Sequence, residues 1–344
     1  MANEKKTVRE PSFILALVPI VAMIAFMLYC FRGHSETGYH DAHLPLVMSI
    51  IVACIVGFIC GHSFQEMLAG MVERLAASME AVLILATVGF LVTSFMLSGA
   101  IPTMIVYGLD LLTPKLFLPV GCILCAIVGM ACGSSWTTTA TIGLAFLGIG
   151  AGLGIPAPIT AGMIISGAYV GDKFSPLSDT TNLAAAVAET GLFDHVTAMV
   201  STTGPTLLLS LILYTILGLN VDTSAYDATV AEGIQEAFRG AFTISPILLL
   251  PIIVVIVMCI LRVPGLVGIA VSVATAVLFM LIFQSTDIFY SYSLGDIFDV
   301  LHYGNAVETG NAVADSILGK AKGMDGMMWT INLILVALAY GGAL

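Results

Sequence analysis

Apolar runs of bilayer length recur along the chain, separated by short polar stretches. Phe13 to Phe31, Leu44 to Gly61, Ala81 to Leu97, Val196 to Leu219, Phe242 to Leu261, Gly265 to Phe283 and Met327 to Leu344 each predict a membrane-crossing helix. Such a helix needs roughly 20 apolar residues. Thr113-Pro114-Lys115 opens a further run that reaches Cys132. Gln65 to Glu80 is different: Glu66, Glu73, Arg74 and Glu80 recur among apolar residues at near-helical spacing, which predicts an amphipathic interfacial helix. Val221 to Arg239 and Gln284 to Asp325 read as acidic, solvated loops, and Arg262-Val263-Pro264 as a tight cytoplasmic turn.

Two polar tracts break the rhythm. Gly133 to Thr141 places six hydroxyl residues in nine positions, and Gly171 to Asn182 holds two carboxylates, a lysine, four hydroxyls and an amide around Pro176. Ile142 to Ile155 is Gly-rich and short for a full span, and the flanks of the second tract, Ala157 to Val170 and Leu183 to Ala188, are each too short to cross a bilayer alone and read as half-helices. Lipid offers no hydrogen bonds, so irregular backbone and charge at membrane depth persist only against protein or a watery cavity. The tract from Gly171 to Asn182 therefore reads as an interrupted-helix binding site, the proline forcing the interruption.

Composition excludes a water-soluble fold: 59% of the 344 residues are hydrophobic and 10% charged, with a mean hydropathy of +1.05. The net charge of −11 sits largely in the connecting segments and gives no nucleic-acid surface. The seven cysteines lie in apolar runs and read as small fillers of helix interfaces. His34, His40, His43 and Asp41 cluster before the second span, but nothing rigid organises them as metal ligands, and they read as a solvated loop. Lys5, Lys6 and Arg9 put the N-terminus in the cytoplasm, ahead of a first helix with no small-residue cleavage site.

Sodium is a hard cation and takes oxygen ligands, which Ser175, Ser178, Asp179, Thr180, Thr181 and Asn182 all carry. Asp179, Ser178, Thr181 and Asn182 are the expected Na+ ligands. Coupling to protons needs a carboxylate that holds either ion: desolvation favours its protonated form and a bound cation its ionised form. Asp172 and Asp179 are the candidates, with Lys173 as an ion-pair partner or a tuner of their protonation. Ser135, Thr137 and Thr138 belong either to a packing face or to a hairpin tip facing the ion site, and Glu189, Asp194 and His195 to the aqueous flank of the next helix.

At these residues the chain resembles the NhaC family of sodium/proton antiporters, within the larger ion transporter superfamily. The likeness is carried by Gly171-Asp172-Lys173-Phe174-Ser175-Pro176-Leu177-Ser178-Asp179-Thr180-Thr181-Asn182-Leu183-Ala184, by Ser135-Trp136-Thr137-Thr138, by Ile165 to Tyr169 and by Leu192 to His195. It implies an all-α polytopic membrane protein, one transporter domain over 1–344, with inverted repeats that each give a re-entrant hairpin and discontinuous helices to a midplane site. Residues 133–195 would be the first repeat's share. The second repeat would be incomplete, so a C-terminally truncated chain is expected. The resemblance implies exchange of Na+ for H+ in the bacterial inner membrane, with no cofactor, no enzymatic activity and a homo-oligomer left open. The alternative is coupled exchange of small organic anions such as malate and lactate. An intramembrane hydrolase lacks support: there is no Gly-x-Ser-x-Gly, and a proline turn separates Asp172 from Asp179.

Overall fold

The computed structural model describes residues 9–33, 41–175, 178, 180–181, 184–185, 188, 190–220, 228–261, 263–284, 294–304 and 307–344. Among these the secondary structure is entirely helical. Six helices are long and apolar enough to cross a membrane, or up to eight spans if each of two bent helix pairs counts as one. The protein is a multi-pass membrane protein. The chain divides into two compact units, one of residues 1–86 and 327–344, the other of 87–326.

The first unit holds α1 (Phe13–Gly33), α2 (His43–Cys60), α3 (Phe64–Ala77), the start of α4 (Met79–Leu97) and α16 (Asp325–Ala343). The expected first, second and last runs are therefore helices, within two residues of the bounds set by hydropathy. Leu46 and Ala53 of α2 pack with Tyr340 of α16, joined by Met23, Met27, Leu333 and Val336. The amphipathic segment begins as α3 at a capping box: the Ser63 hydroxyl accepts from the Glu66 amide, and the Glu66 carboxylate accepts from the Ser63 amide at 3.0 Å.

The second unit carries the rest of α4, then α5 (Ala100–Leu111), α6 (Pro114–Cys132), α7 (Ser135–Thr138), α8 (Leu144–Gly152), α9 (Ala157–Phe174) and α10 (Leu192–Leu219). Next come α11 (Ala228–Ala241), α12 (Leu250–Ile260), α13 (Gly265–Phe283), α14 (Leu294–Tyr303) and α15 (Ala312–Leu318). Along α10 the apolar side chains Leu208, Leu209, Ile212, Leu213 and Ile216 are exposed, as suits a helix facing lipid.

Three expectations are corrected here. Most of Val221 to Arg239 is not loop but α11, whose Ala231, Ile234 and Phe238 are buried at helical spacing beneath an acidic outer face. Gln284 to Asp325 is not wholly solvated either, since α14 and α15 bury Ile297, Ala314, Ile317 and Leu318, and Ala321 follows them inward. Phe242 to Leu261 is not one straight span. A 3-10 turn at Pro246–Leu249 precedes α12, and the pair Thr229–Ala241 and Pro246–Met258 is bent by 91°. Pro246 holds Ser245 in extended backbone, φ −154° and ψ 144°, so the connection that follows the end of α11 at Ala241 stays non-helical up to the 3-10 turn.

Candidate ion site

The site grows from a helical hairpin. α6 ends at Gly133, whose φ of 65° is left-handed and costs a glycine little; its amide closes the helix on the carbonyl of Gly129 at 2.8 Å. The chain reverses through Ser134, which caps α7 by accepting from the Thr137 amide at 3.2 Å.

From Ser135 the helix is continuous. α7, a π-turn at Thr139–Gly143 and α8 follow one another without a gap. The hydroxyl tract is thus the opening of a continuous helix that runs on to Gly152, and the reversal of the chain is confined to Gly133 and Ser134. Its hydroxyls bond backward to the preceding turn: Thr138 Oγ1 donates to the carbonyl of Ser134 at 2.9 Å, Thr139 Oγ1 to that of Ser135 at 2.8 Å and Thr141 Oγ1 to that of Thr137 at 2.7 Å. That back-bonding lets polar residues occupy a helix in an apolar setting. The π-turn widens the helix beside them, a distortion that recurs at functional sites.

α9 is longer than its apolar run. It continues beyond Val170 through Gly171, Asp172 and Lys173 to Phe174, so Asp172 stands in the last helical turn and not on unwound backbone. The interruption begins one residue later, at Ser175, extended at φ −82° and ψ 123° as the residue before Pro176 must be.

Glycines bring α9 against α6. A Cβ at Gly171 would collide with the carbonyl of Ala126, one at Gly167 with the carbonyl of Cys122, and one at Gly129 would lie 2.7 Å from the carbonyl of Ala168. Gly167 and Gly171 have the four-residue spacing of small residues that lets two backbones touch in a membrane. This approach sets the end of α9 beside the start of α7. There the Ser135 hydroxyl donates to Asp172 Oδ2 at 3.2 Å, with both residues buried.

The interrupted segment folds back on the same end of α9. The Ser175 amide donates to the carbonyl of Asp172 at 3.1 Å, and the Ser178 amide to that of Ser175 at 3.3 Å. Thr181 Oγ1 lies 3.3 Å from the carbonyl of Asp172 and 3.4 Å from that of Lys173. The Ser178 hydroxyl pairs with Thr180 Oγ1 at 2.9 Å. Ser135, Asp172, Ser175, Ser178 and Thr181 are all buried and converge here. Thr137 and Thr138 are buried on the facing helix, but their hydroxyls bond Ser134, at its Oγ (3.1 Å) and its carbonyl.

Thr180 and Lys173 are exposed, and among the described residues Lys173 takes part in no salt bridge. Asp179 and Asn182 lie outside the described residues, as do Glu189, His34 and His40. Asp194 stands in the first turn of α10, on the flank where the sequence places it.

Chemically, the arrangement is one buried carboxylate, several hydroxyls and the last carbonyls of a helix. The C-terminus of α9 carries partial negative charge and, with the carboxylate and the hydroxyl oxygens, favours a cation, whereas the N-terminus of α7 beside Asp172 carries partial positive charge. Among the described residues no group of three or more His, Cys, Asp or Glu could hold a metal ion. Neutral oxygens around a single carboxylate suit a hard monovalent ion better than a transition metal.

Residues 167–344, which include the end of α9 and its interruption, match the family model described as the Na+/H+ antiporter family. Over 88% of its length the chain is 34% identical to the Na(+)/H(+) antiporter NhaC of Alkalihalophilus pseudofirmus, covering 64% of that protein. The chain belongs to the Na+/H+ antiporter family. It is also 35% identical to the arginine/ornithine antiporter ArcD of Halobacterium salinarum, over 98% of this chain and 68% of that one. With the malate-2H(+)/Na(+)-lactate antiporter of Bacillus subtilis it shares 32% identity, again over 98% of its length and 70% of the relative's. This antiporter-family chain thus spans about two thirds of the length of the relatives it matches. No solved structure matches it.

Proposed function

We propose that this protein is a secondary active transporter of the cell membrane that exchanges Na+ for H+, with Asp172 as a carboxylate that holds either ion. The observation that carries this reading is the buried contact of Ser135 with Asp172, made across two helices at the end of an interrupted helix, in a chain of the Na+/H+ antiporter family. In this reading Ser135, Ser175, Ser178 and Thr181 add neutral oxygens to the cation site, and Asp179 and Asn182 complete it from the same tract. The hairpin of α6 to α8 and the interruption after α9 are one repeat's contribution to an inverted-repeat, midplane architecture. The N-terminus faces the cytoplasm, on the charge of Lys5, Lys6 and Arg9.

A second reading is favoured by the names of two relatives, which are antiporters of organic solutes. Coupled exchange of a small organic ion would use the same cation site and a further pocket for the solute.

The test is a grid of initial rates over Na+ and pH in proteoliposomes, run with and without malate, lactate, arginine and ornithine. If one carboxylate serves both ions, lowering the pH raises the Na+ concentration for half-maximal rate, while saturating Na+ restores the maximal rate at moderately acid pH. Asp172→Asn abolishes exchange and leaves membrane insertion intact. A Na+ affinity that stays constant across the grid rejects the shared carboxylate, and exchange seen only with an organic solute selects the second reading.

A further inference from the structure

Three helix breaks in the second unit meet at the buried side chain of Gln284. α4 gives way to α5 at Ser98 and Gly99, where Gly99 is left-handed at φ 79°. α11 gives way to the 3-10 turn through Thr243, and α13 stops at Gln284. Each break leaves backbone groups without helical partners; Ser98 and Gln284 are buried while Thr243 is exposed, and the buried groups are costly unless bonded.

One side chain bonds them. Gln284 is 1% exposed. Its Nε2 donates to the carbonyl of Ser98 at 3.0 Å and to that of Thr243 at 3.2 Å, and its Oε1 accepts from the Thr243 amide at 2.9 Å. Thr243 Oγ1 returns a bond to the carbonyl of Phe283 at 2.9 Å. Both N–H groups and the oxygen of the amide are thus used. There is no room to spare, since a Cβ at Gly99 would collide with Gln284 Nε2.

The consequence reaches the ion site through α5. The start of α5 is pinned at Gly99, and its body interlocks with α8: Ile105 fills the space beside Gly148, and Ile149 the space beside Gly108. α8 continues the helix that begins at Ser135. A packed path of close contacts therefore runs from Gln284 through α5 and α8 to the hydroxyl that meets Asp172.

We propose that Gln284 is a positioning residue: by locking three helix breaks together it fixes α5, and through α8 it sets Ser135 against Asp172. The proposal rests on the Na+/H+ exchange reading for its functional consequence. The variants are Gln284→Leu, which keeps bulk and removes every hydrogen bond, and Gln284→Glu, which keeps the acceptor for Thr243 and can donate to one carbonyl at most.

Each variant is reconstituted, and Na+ dependence, maximal rate and thermal midpoint are measured. A measurement independent of transport accompanies them: the distance distribution between spin labels at positions 136 and 169, exposed sites on α7 and α9, in a background without native cysteines.

The expected result for Gln284→Leu is a rise of about tenfold in the Na+ concentration for half-maximal rate, the scale of one lost buried hydrogen bond. The maximal rate stays within about twofold, because no ion ligand is removed. The label distribution broadens, and Gln284→Glu falls between Gln284→Leu and the parent protein. A lowered thermal midpoint with unchanged Na+ dependence and unchanged distances would reduce Gln284 to a stability residue and overturn the proposal. Should Gln284→Leu fail to reach the membrane, the same comparison is made with Gln284→Glu, where parent-like Na+ dependence and distances refute it. If the parent protein itself shows no Na+/H+ exchange, the proposed function fails, and the distance measurement alone still decides the role of Gln284.

Discussion

Replacing Ser135 by alanine removes one atom from the junction of α7 and α9 and leaves the backbone a better helix former than before. The lost hydroxyl lies 3.2 Å from Asp172 Oδ2, and both residues are buried, so water does not readily take its place. A hydrogen bond to a charged acceptor contributes about 1.5–3 kcal/mol, and half of that already corresponds to a change of about threefold to twelvefold in an equilibrium constant. If Ser135 shares the cation site, Ser135→Ala raises the Na+ concentration for half-maximal exchange by about tenfold. Ser135→Thr, which keeps a hydroxyl, recovers most of the loss. The assay is Na+-driven proton movement in proteoliposomes at fixed pH, with protein abundance matched. Parent-like Na+ dependence in Ser135→Ala would show that the contact only packs two helices and that Asp172 binds cation without it.

The seam between α6 and α9 makes its own forecast. Gly171→Val forces a branched side chain into the carbonyl of Ala126 and should destabilise the protein by about 1–3 kcal/mol, read as a lowered thermal midpoint in detergent, with loss of exchange. An unchanged midpoint would mean that the two helices are not in backbone contact. In the first unit, Asp41 accepts from the amide of His43 (3.1 Å), from its Nδ1 and from Trp329 Nε1 (3.3 Å), and the His43 side chain holds its carboxyl below the usual aspartate range. With a lowered folded pKa, its contribution to stability is full above the ordinary aspartate value and is lost as pH falls through the folded value. Asp41→Asn should therefore lower stability in the neutral region and flatten the acid limb, so that its stability-against-pH profile meets that of the parent protein at low pH. A parent-like acid limb would refute the pairing.

Much of the architecture is written locally. The bounds of α1, α2, α13 and α16 follow from apolar length alone, because a bilayer fixes how many residues a crossing needs. The interruption after Phe174 follows from Pro176, which dictates the backbone of Ser175 whatever surrounds it. The candidate residues Asp172, Ser175, Ser178 and Thr181 were legible because polar oxygens in an apolar stretch have few other reasons to be there.

What the chain could not announce is which distant segments meet. α11, α14 and α15 hide because their buried faces are short and their outer faces acidic, so counting charges mistakes them for loop. The hydroxyl tract passes for non-helical because serine and threonine are weak helix formers, and the back-bonding that satisfies their hydroxyls within the helix does not show in the sequence. Ser135 and Asp172 are 37 residues apart, and their contact exists only because Gly167 and Gly171 admit α6 to the distance where backbones touch. Gln284 looks like the end of a span, yet it joins carbonyls from two other breaks, 186 and 41 residues away. Hydropathy and proline act within a few residues and can be read in one dimension. The fit of a glycine to a carbonyl, or of one amide to three chain ends, is a property of packed surfaces and arises only when the fold brings them together.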